Sequence, residues 1–444
     1  MTVARTVCLG FIAVILVGML LLLLPISHAD GGWGNWLVAL FTSTSAVCVT
    51  GLVVVDTGSY YSFWGQLFIT ALIQVGGLGY MTATTFLLLL LGRKFGLRDK
   101  VAIQQSLDKQ GMAGADQLLR SIISVTAILE LSGAFAMMPV FMPEYGARQG
   151  IWMAVFHSIS AFNNAGFGLL PDSLIRYATS LPINIVISTL IILGGIGYQV
   201  IMDCYLWGRD RLQGRRERAV FSLNFKIVIS TTIFLLLLGT VLIFFVESRN
   251  PGTLVGLSWQ DQLLISWFQS VMPRTAGFNS LDYAQMSEVG WFITIVLMFI
   301  GASPGGTGGG LKTTTFRILY ECTKTALQGK DEVVSYQRQI PFPLILKAVG
   351  VLFGSLVTVL TASTLIELAD PAVSLLQVLF EVVSGFATVG LSTGITASLT
   401  VFSKLVLIAV MYVGRVGVLL LLAAVLGDPA RSTVNYPEEN LLVG

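Results

Sequence analysis

Four glycines divide this chain at nearly equal intervals, and that rhythm limits the fold more than any other feature. Gly51, Gly166, Gly277 and Gly390 stand 115, 111 and 113 residues apart. Each closes a short half-polar segment, at about 33–50, 150–165, 259–276 and 374–389. The endings read Cys48-Val49-Thr50-Gly51-Leu52, Asn164-Ala165-Gly166-Phe167, Arg274-Thr275-Ala276-Gly277-Phe278 and Thr388-Val389-Gly390-Leu391. A second marker keeps the same period. Gly76-Gly77-Leu78-Gly79-Tyr80 recurs as Gly194-Gly195-Ile196-Gly197-Tyr198 and, altered, as Gly414-Arg415-Val416-Gly417, while the third copy falls in a glycine-rich stretch starting at Gly301. Two markers repeating in register imply internal duplication.

The segments between the markers decide the solvent. Apolar stretches lie at about 7–26, 63–91, 118–141, 181–206, 225–246, 290–320, 343–368 and 401–426, each long enough to cross a bilayer. Of 444 residues, 55% are hydrophobic and 11% charged, against about 25% charged in a soluble domain. One aqueous core cannot hide so many apolar side chains, so a bilayer must be the solvent. The half-polar segments are too short to cross. The expected fold is an all-α membrane protein of four parallel units, each a spanning helix, a re-entrant half-helix, a glycine loop and a second spanning helix. The units are 1–92, 93–207, 208–330 with a broken helix and a loop at 301–315, and 331–444 with a short tail. The first apolar stretch serves the repeat as a full member, which predicts a retained helix rather than a leader.

Charge sets the orientation. With the half-helices placed outside, the inner loops, adjoining helix ends and termini carry 19 of the 26 basic residues. Arg148, Arg176, Arg249, Arg274 and Lys404 stay outside, and Lys312 and Arg415 fall within spans. Basic residues collect on the cytoplasmic side, so both termini are expected there, in a multi-pass protein of the plasma (inner) membrane. A net charge of +2 gives nucleic acid no electrostatic hold. Cys8, Cys48, Cys204 and Cys322 lack CxxC spacing, and with His28 and His157 they form no familiar zinc pattern. No catalytic residues are expected.

Irregular backbone at membrane depth is tolerated where protein shields it or where it lines a water-filled path. Four such turns around one axis make a ring of carbonyl oxygens able to replace the water around a bare cation. Glycine permits the backbone angles that aim those oxygens inward, and the half-helix C-terminal ends add negative potential. The residues expected to hold the ion are Val49, Thr50 and Gly51; Asn164, Ala165 and Gly166; Thr275, Ala276 and Gly277; and Thr388, Val389 and Gly390.

In these motifs the sequence resembles the Trk/Ktr/HKT superfamily of potassium transporters over nearly its whole length. The most specific pieces are Arg274-Thr275-Ala276-Gly277-Phe278-Asn279, Phe162-Asn163-Asn164-Ala165-Gly166-Phe167 and the glycine-rich stretch of the sixth span. Thr388-Val389-Gly390 also matches the start of the potassium-channel filter TVGYG. Without extra N-terminal helices it looks most like the membrane subunit of the Ktr type. The resemblance implies a monomer with fourfold pseudosymmetry around one pore, potassium as substrate with possible sodium dependence, and no cofactor in this chain. It also implies a homodimer with a cytosolic nucleotide-binding regulatory ring of RCK type. In this superfamily a serine at the first filter glycine accompanies sodium permeation; here all four positions are glycine, which favours potassium.

The stretch at 301–315 cannot be a straight helix. Its six glycines and Pro304 each disfavour helix, by about 1 kcal/mol per glycine and about 3 for proline relative to alanine. A break into two halves joined by a loop beneath the filter is expected, and the resemblance gives that loop the role of a gate. Gate residues are Gly305, Gly306, Thr307, Gly308, Gly309, Gly310, Lys312 and Arg415. Arg415 lies inside the eighth span, where a charge is costly and usually functional, and should reach the axis below the filter. Arg274 and Glu381 are candidates for a salt bridge behind the filter, and Glu130 and Glu367 for balancing buried basic groups. Basic inner loops suit lipid headgroups or a docked ring.

An ion-coupled secondary transporter, driven by sodium or protons, is the alternative. Inverted repeats would need an odd number of spans per unit, and these units have two. A membrane enzyme would need a clustered nucleophile, metal site or acid pair, for which the sequence offers none.

Overall fold

The computed structural model describes residues 3–79, 115–214 and 221–427. Tyr80, the inner end of the second apolar stretch, Arg215, Arg216, Arg218 and the tail from residue 428 lie outside them. Among the described residues the fold is helical, with one small hairpin pairing Val334–Ser335 with Arg338–Gln339.

The first helix of every expected unit is long and apolar enough to cross a membrane: Ala4–Leu23, Arg120–Phe162, Leu223–Glu247 and Phe342–Ala369. Their outer faces carry bare apolar side chains, among them Leu20, Phe245 and Leu368. Such faces are stable only in lipid. The helix of the second unit runs over Ala115–Phe162 and absorbs its half-helix, with a break at Gly146 where φ is 79°.

The half-helices are Trp36–Val47, the segment following Gly146, Trp259–Val271 and Leu375–Phe386. Twelve residues of helix rise about 18 Å, roughly half a bilayer core. Three of them are capped at their first turn. The Asn35 side chain accepts from the Leu37 and Val38 amides, Ser258 accepts from Asp261, and Ser374 with Gln377 forms a capping box. Such a cap is worth about 1 kcal/mol. Their inner ends are wholly buried.

Three half-helices are fastened to their spanning helices by one device. The hydroxyls of Ser43, Ser158 and Ser270 donate to the carbonyls of Ile15, Glu130 and Leu236 at 2.7, 2.6 and 2.7 Å. Three residues beyond each acceptor is a glycine. A Cβ on Gly18, Gly133 or Gly239 would fall 2.4, 2.6 or 2.4 Å from that same serine oxygen. Only a bare backbone admits so close an approach.

The second helices of units two and four depart from the expectation of a straight span, while that of unit three is broken as the sequence predicts. Leu181–Ile196 and Tyr198–Leu212 meet at 104°, and Val401–Val416 and Val418–Leu426 at 93°. The bends fall at Gly197 and Gly417, both at φ 90°. In the first unit Phe63–Gly77 stops just before Gly79, at φ 80°. In the third unit the span is broken between Glu288–Phe299 and Thr313–Leu327. Val418–Leu426 stays apolar past Gly417, whereas Tyr198–Leu212 carries Asp203, Arg209, Asp210 and Arg211; at both bends a left-handed glycine ends the helical hydrogen-bond ladder.

The first helix also meets the last unit. Arg5 Nε donates to the Ala424 carbonyl at 2.7 Å, and the Tyr412 hydroxyl to the Cys8 carbonyl at 2.9 Å. The chain thereby closes on itself, with its ends joined around the glycine loops.

Candidate functional site

The four loops meet in cyclic order. A Cβ on Gly51 would lie 2.5 Å from the Ala165 carbonyl oxygen, and one on Gly166 would lie 2.8 Å from that of Ala276. One on Gly277 would lie 2.3 Å from the Val389 oxygen, and one on Gly390 would lie 2.2 Å from the Thr50 oxygen. Each glycine leaves room for the carbonyl of its neighbour, and the fourth returns to the first. The oxygens involved belong to the residues expected from the sequence.

The backbone of each loop repeats one conformation. Val49, Asn164, Thr275 and Thr388, each two residues before a ring glycine, have φ of 57, 56, 69 and 53°. The glycines have φ of 93, 70, 70 and 91°. The residue between them in each loop is not left-handed. Alternating handedness turns successive carbonyls to the same side, the geometry a cation-solvating loop requires. Left-handed backbone is rare outside glycine, and rarer still for a β-branched side chain. Finding it at one position in four loops marks strain held in place by its surroundings.

Serines brace the loops, a role the sequence reading missed. Ser45 accepts from the Gly51 amide at 3.0 Å and Ser384 from the Gly390 amide at 3.1 Å. Ser160 donates to the Phe167 carbonyl at 2.8 Å. A serine six residues ahead of the ring glycine in three of four segments was the available signal. The third loop has Val271 there, and is held from its neighbour: Asn164 Nδ2 donates to the Arg274 carbonyl at 2.9 Å. The second glycine marker packs behind the ring. A Cβ on Gly76, Gly194 or Gly414 would fall 2.1, 1.9 or 1.8 Å from the carbonyl oxygens of Val47, Phe162 and Phe386, where the half-helices end.

Outside the ring lies a cavity of about 450 Å³, reached by Gly51, Gly166, Gly277 and Gly390 and by Asp56, Asp172 and Asp282. Beyond the spans Asp172 takes Arg176 at 3.4 Å, and that contact holds the guanidinium above its ordinary pKa.

Across the ring from that cavity lies the broken span. Gly301 donates to the Leu311 carbonyl at 2.8 Å, closing a loop whose residues 307–309 are buried. Ser303 and Thr307 amides reach the Gly195 and Gly194 carbonyls at 2.9 and 3.1 Å. The Gly309 amide donates to Thr388 Oγ1 at 2.8 Å. Lys312 Nζ donates to the Gly308 carbonyl at 2.7 Å. Arg415 donates to the Thr307 carbonyl through Nη1 and to the Gly76 carbonyl through Nη2. One guanidinium thus joins units one, three and four, taking both the loop and a helix C-terminal end, where a cation is favoured.

Two expectations are corrected. No Arg274–Glu381 salt bridge forms among the described residues. Arg274 Nη2 donates to the Leu297 carbonyl at 2.8 Å, while Glu381, fully buried, accepts from Ser392 at 2.5 Å, the Thr393 amide at 3.0 Å and Thr396 at 2.9 Å. A carboxylate on a half-helix can be satisfied by local hydroxyls and an amide without a cation. Nor does Glu130 pair with a basic group among the described residues: it accepts from Asn163 Nδ2 at 2.9 Å, which also donates to Gln74 at 3.0 Å.

A ring of backbone turns closed within one chain of several membrane-spanning helices is the architecture of a membrane cation transport protein. The chain matches the TrkH family of cation transport proteins over residues 12–432 and belongs to that family. It is 38% identical to the Ktr system potassium uptake protein B of Bacillus subtilis, over 100% of this chain and 97% of that one. It is 38% identical to the potassium/sodium uptake protein NtpJ of Enterococcus hirae, over 99% and 97%. The crystal structure of the potassium transporter TrkH from Vibrio parahaemolyticus shares the fold, with a TM-score of 0.72 over 95% of this chain and 85% of that one, at 20% identity.

Proposed function

We propose that the chain takes up potassium across the plasma membrane through one channel-like pore, with the four glycine loops as its selectivity filter. The observation that carries this reading is the cyclic contact of Gly51, Gly166, Gly277 and Gly390 with the carbonyls of Ala165, Ala276, Val389 and Thr50. The names of the Bacillus and Enterococcus relatives, which specify potassium and potassium with sodium, support the substrate. The ion sheds water in the outer cavity, is held by the carbonyls of Thr50, Ala165, Ala276, Val389 and their neighbours, and leaves toward the cytoplasm. Membrane potential drives the movement, at about 2.3 kcal/mol per charge per 100 mV.

The loop at 301–315 is the gate, with Lys312 and Arg415 holding it beneath the filter. The four units at 1–92, 93–207, 208–330 and 331–444 are the repeats, and both termini face the cytoplasm. Two copies pair as a homodimer on a cytosolic nucleotide-binding ring. The Ktr-system name of the Bacillus relative supports a partner subunit.

The test is rubidium uptake in a potassium-starved host expressing the chain, with potassium and sodium as competitors. Potassium should compete strongly and sodium weakly. Uptake that requires a second ion and follows that ion's gradient would contradict a potential-driven pore and establish a coupled transporter.

A further inference from the structure

We propose that the Thr388 hydroxyl is a ligand shared between gate and ion: it accepts the Gly309 amide while the loop is in place, and is released to the ion when the loop withdraws. The inference rests on the filter and gate proposed above and adds a mechanism by which the ion itself opposes closure.

The four left-handed residues of the ring are unequal in chemistry: Val49, Asn164, Thr275 and Thr388. Two carry hydroxyls, and two successive glycines of the broken span are pressed against them. A Cβ on Gly308 would fall 1.8 Å from Thr275 Oγ1, and one on Gly309 would fall 2.6 Å from Thr388 Oγ1. Bare backbone at both positions is therefore a condition of the fit. The two hydroxyls differ in what they bind. Thr275 Oγ1 takes Asn164 Nδ2 at 3.2 Å, a bond made within the ring and independent of the loop. Thr388 Oγ1 takes the Gly309 amide at 2.8 Å. All three of Thr388, Gly308 and Gly309 are buried.

The Thr388 oxygen has two lone pairs, and the Gly309 amide occupies one of them at 2.8 Å, which sets the positive end of a peptide N–H beside any cation that would use the other. The loop also points the positive end of an N–H dipole at the inner face of the ring. Behind it Arg415 holds the Thr307 carbonyl and Lys312 the Gly308 carbonyl. An ion at the innermost position and the loop in its seated position thus oppose each other, through repulsion between the ion and the amide proton at one oxygen. Two ligands that compete for one atom are coupled thermodynamically, so the ion shifts the loop toward withdrawal, and a seated loop weakens innermost ion binding by the same factor.

The test uses rubidium flux into proteoliposomes holding the full chain without a partner. T388V removes the acceptor and keeps the shape. It should raise flux about fivefold, the value of one neutral hydrogen bond in the opening equilibrium. T388S, which restores the oxygen, should bring flux back toward the wild-type value. Combined with deletion of residues 305–310, T388V should raise flux no further and should instead raise the rubidium concentration needed for half-maximal flux. A T388V rise that persists in the deleted background, or no effect of T388V in either background, overturns the proposal. Absence of flux in both the wild-type and deleted proteins overturns the filter-and-gate reading itself, a different result. A measurement on the unaltered chain keeps the proposal falsifiable if T388V misfolds. Amide exchange in the peptide around Gly309 should accelerate in rubidium relative to an impermeant cation, and an unchanged rate overturns it.

Discussion

At the scale of the residue, the ring glycines meet two demands that no other residue meets together. Gly277 has φ of 70° and keeps its absent Cβ 2.3 Å from the Val389 carbonyl oxygen. Gly277→Ala forces the neighbouring loop outward. Overpacking of this kind costs about 1–3 kcal/mol, so we expect a lower melting temperature together with loss of discrimination between potassium and sodium, read by competition for rubidium uptake. Arg415 makes a second prediction. Its fork spans two carbonyls, Thr307 and Gly76, on different units. A lysine keeps the charge but offers no planar fork. Arg415→Lys should raise partner-free rubidium flux while leaving membrane expression intact, and flux equal to the wild type would remove Arg415 from the gate.

At the scale of the element, breaks decide more than lengths do. The bends at Gly197 and Gly417 end helices that, taken with the segment beyond each bend, are long and apolar enough to cross a membrane. Deleting residues 305–310 should raise flux without any partner; a correctly inserted protein with lost flux would show that the loop supports the pore rather than blocking it. Outer element ends carry a pH dependence. Asp370, at the end of Phe342–Ala369, accepts from the Thr400 amide at 3.2 Å and the Ser403 hydroxyl at 2.5 Å, anchoring the start of Val401–Val416. Partial burial works against its charge, but hydrogen bonds from Ser403 and Thr400 outweigh it and hold its pKa below the ordinary carboxylate value. A depressed carboxylate stabilises the fold above its unfolded pKa of about 3.9 and loses that contribution as pH falls through the folded value. The anchor should therefore hold from pH 5 to 8, begin to weaken near the unfolded value of about 3.9 and be lost at still lower pH. Asp370→Ala should lower the melting temperature at pH 7 and remove its share of the acid decline; an unchanged melting curve would show that the anchor carries no stability.

At the scale of the whole molecule, four glycine loops from four stretches of the chain meet in one closed ring. Much of that was legible in the sequence, because the ring depends on turn residues and a turn glycine keeps its place in the repeat. The left-handed Val49, Asn164, Thr275 and Thr388 fell within the expected site for the same reason. The broken sixth span was legible because six glycines and a proline admit no straight helix. The partners of Arg415 were not, since they are backbone carbonyls 108 and 339 residues away and carry no side-chain signal. The bends at Gly197 and Gly417 were hidden because a membrane-spanning hydropathy pattern does not report backbone handedness. The Glu381 pocket escaped notice because hydroxyls, not a cation, complete it. The most direct test of the central claim is anomalous diffraction from crystals soaked in rubidium. The account predicts rubidium on the axis enclosed by the carbonyls of Thr50, Ala165, Ala276 and Val389. Rubidium found only at the outer carboxylates of Asp56, Asp172 and Asp282, with none inside the glycine ring, would contradict it.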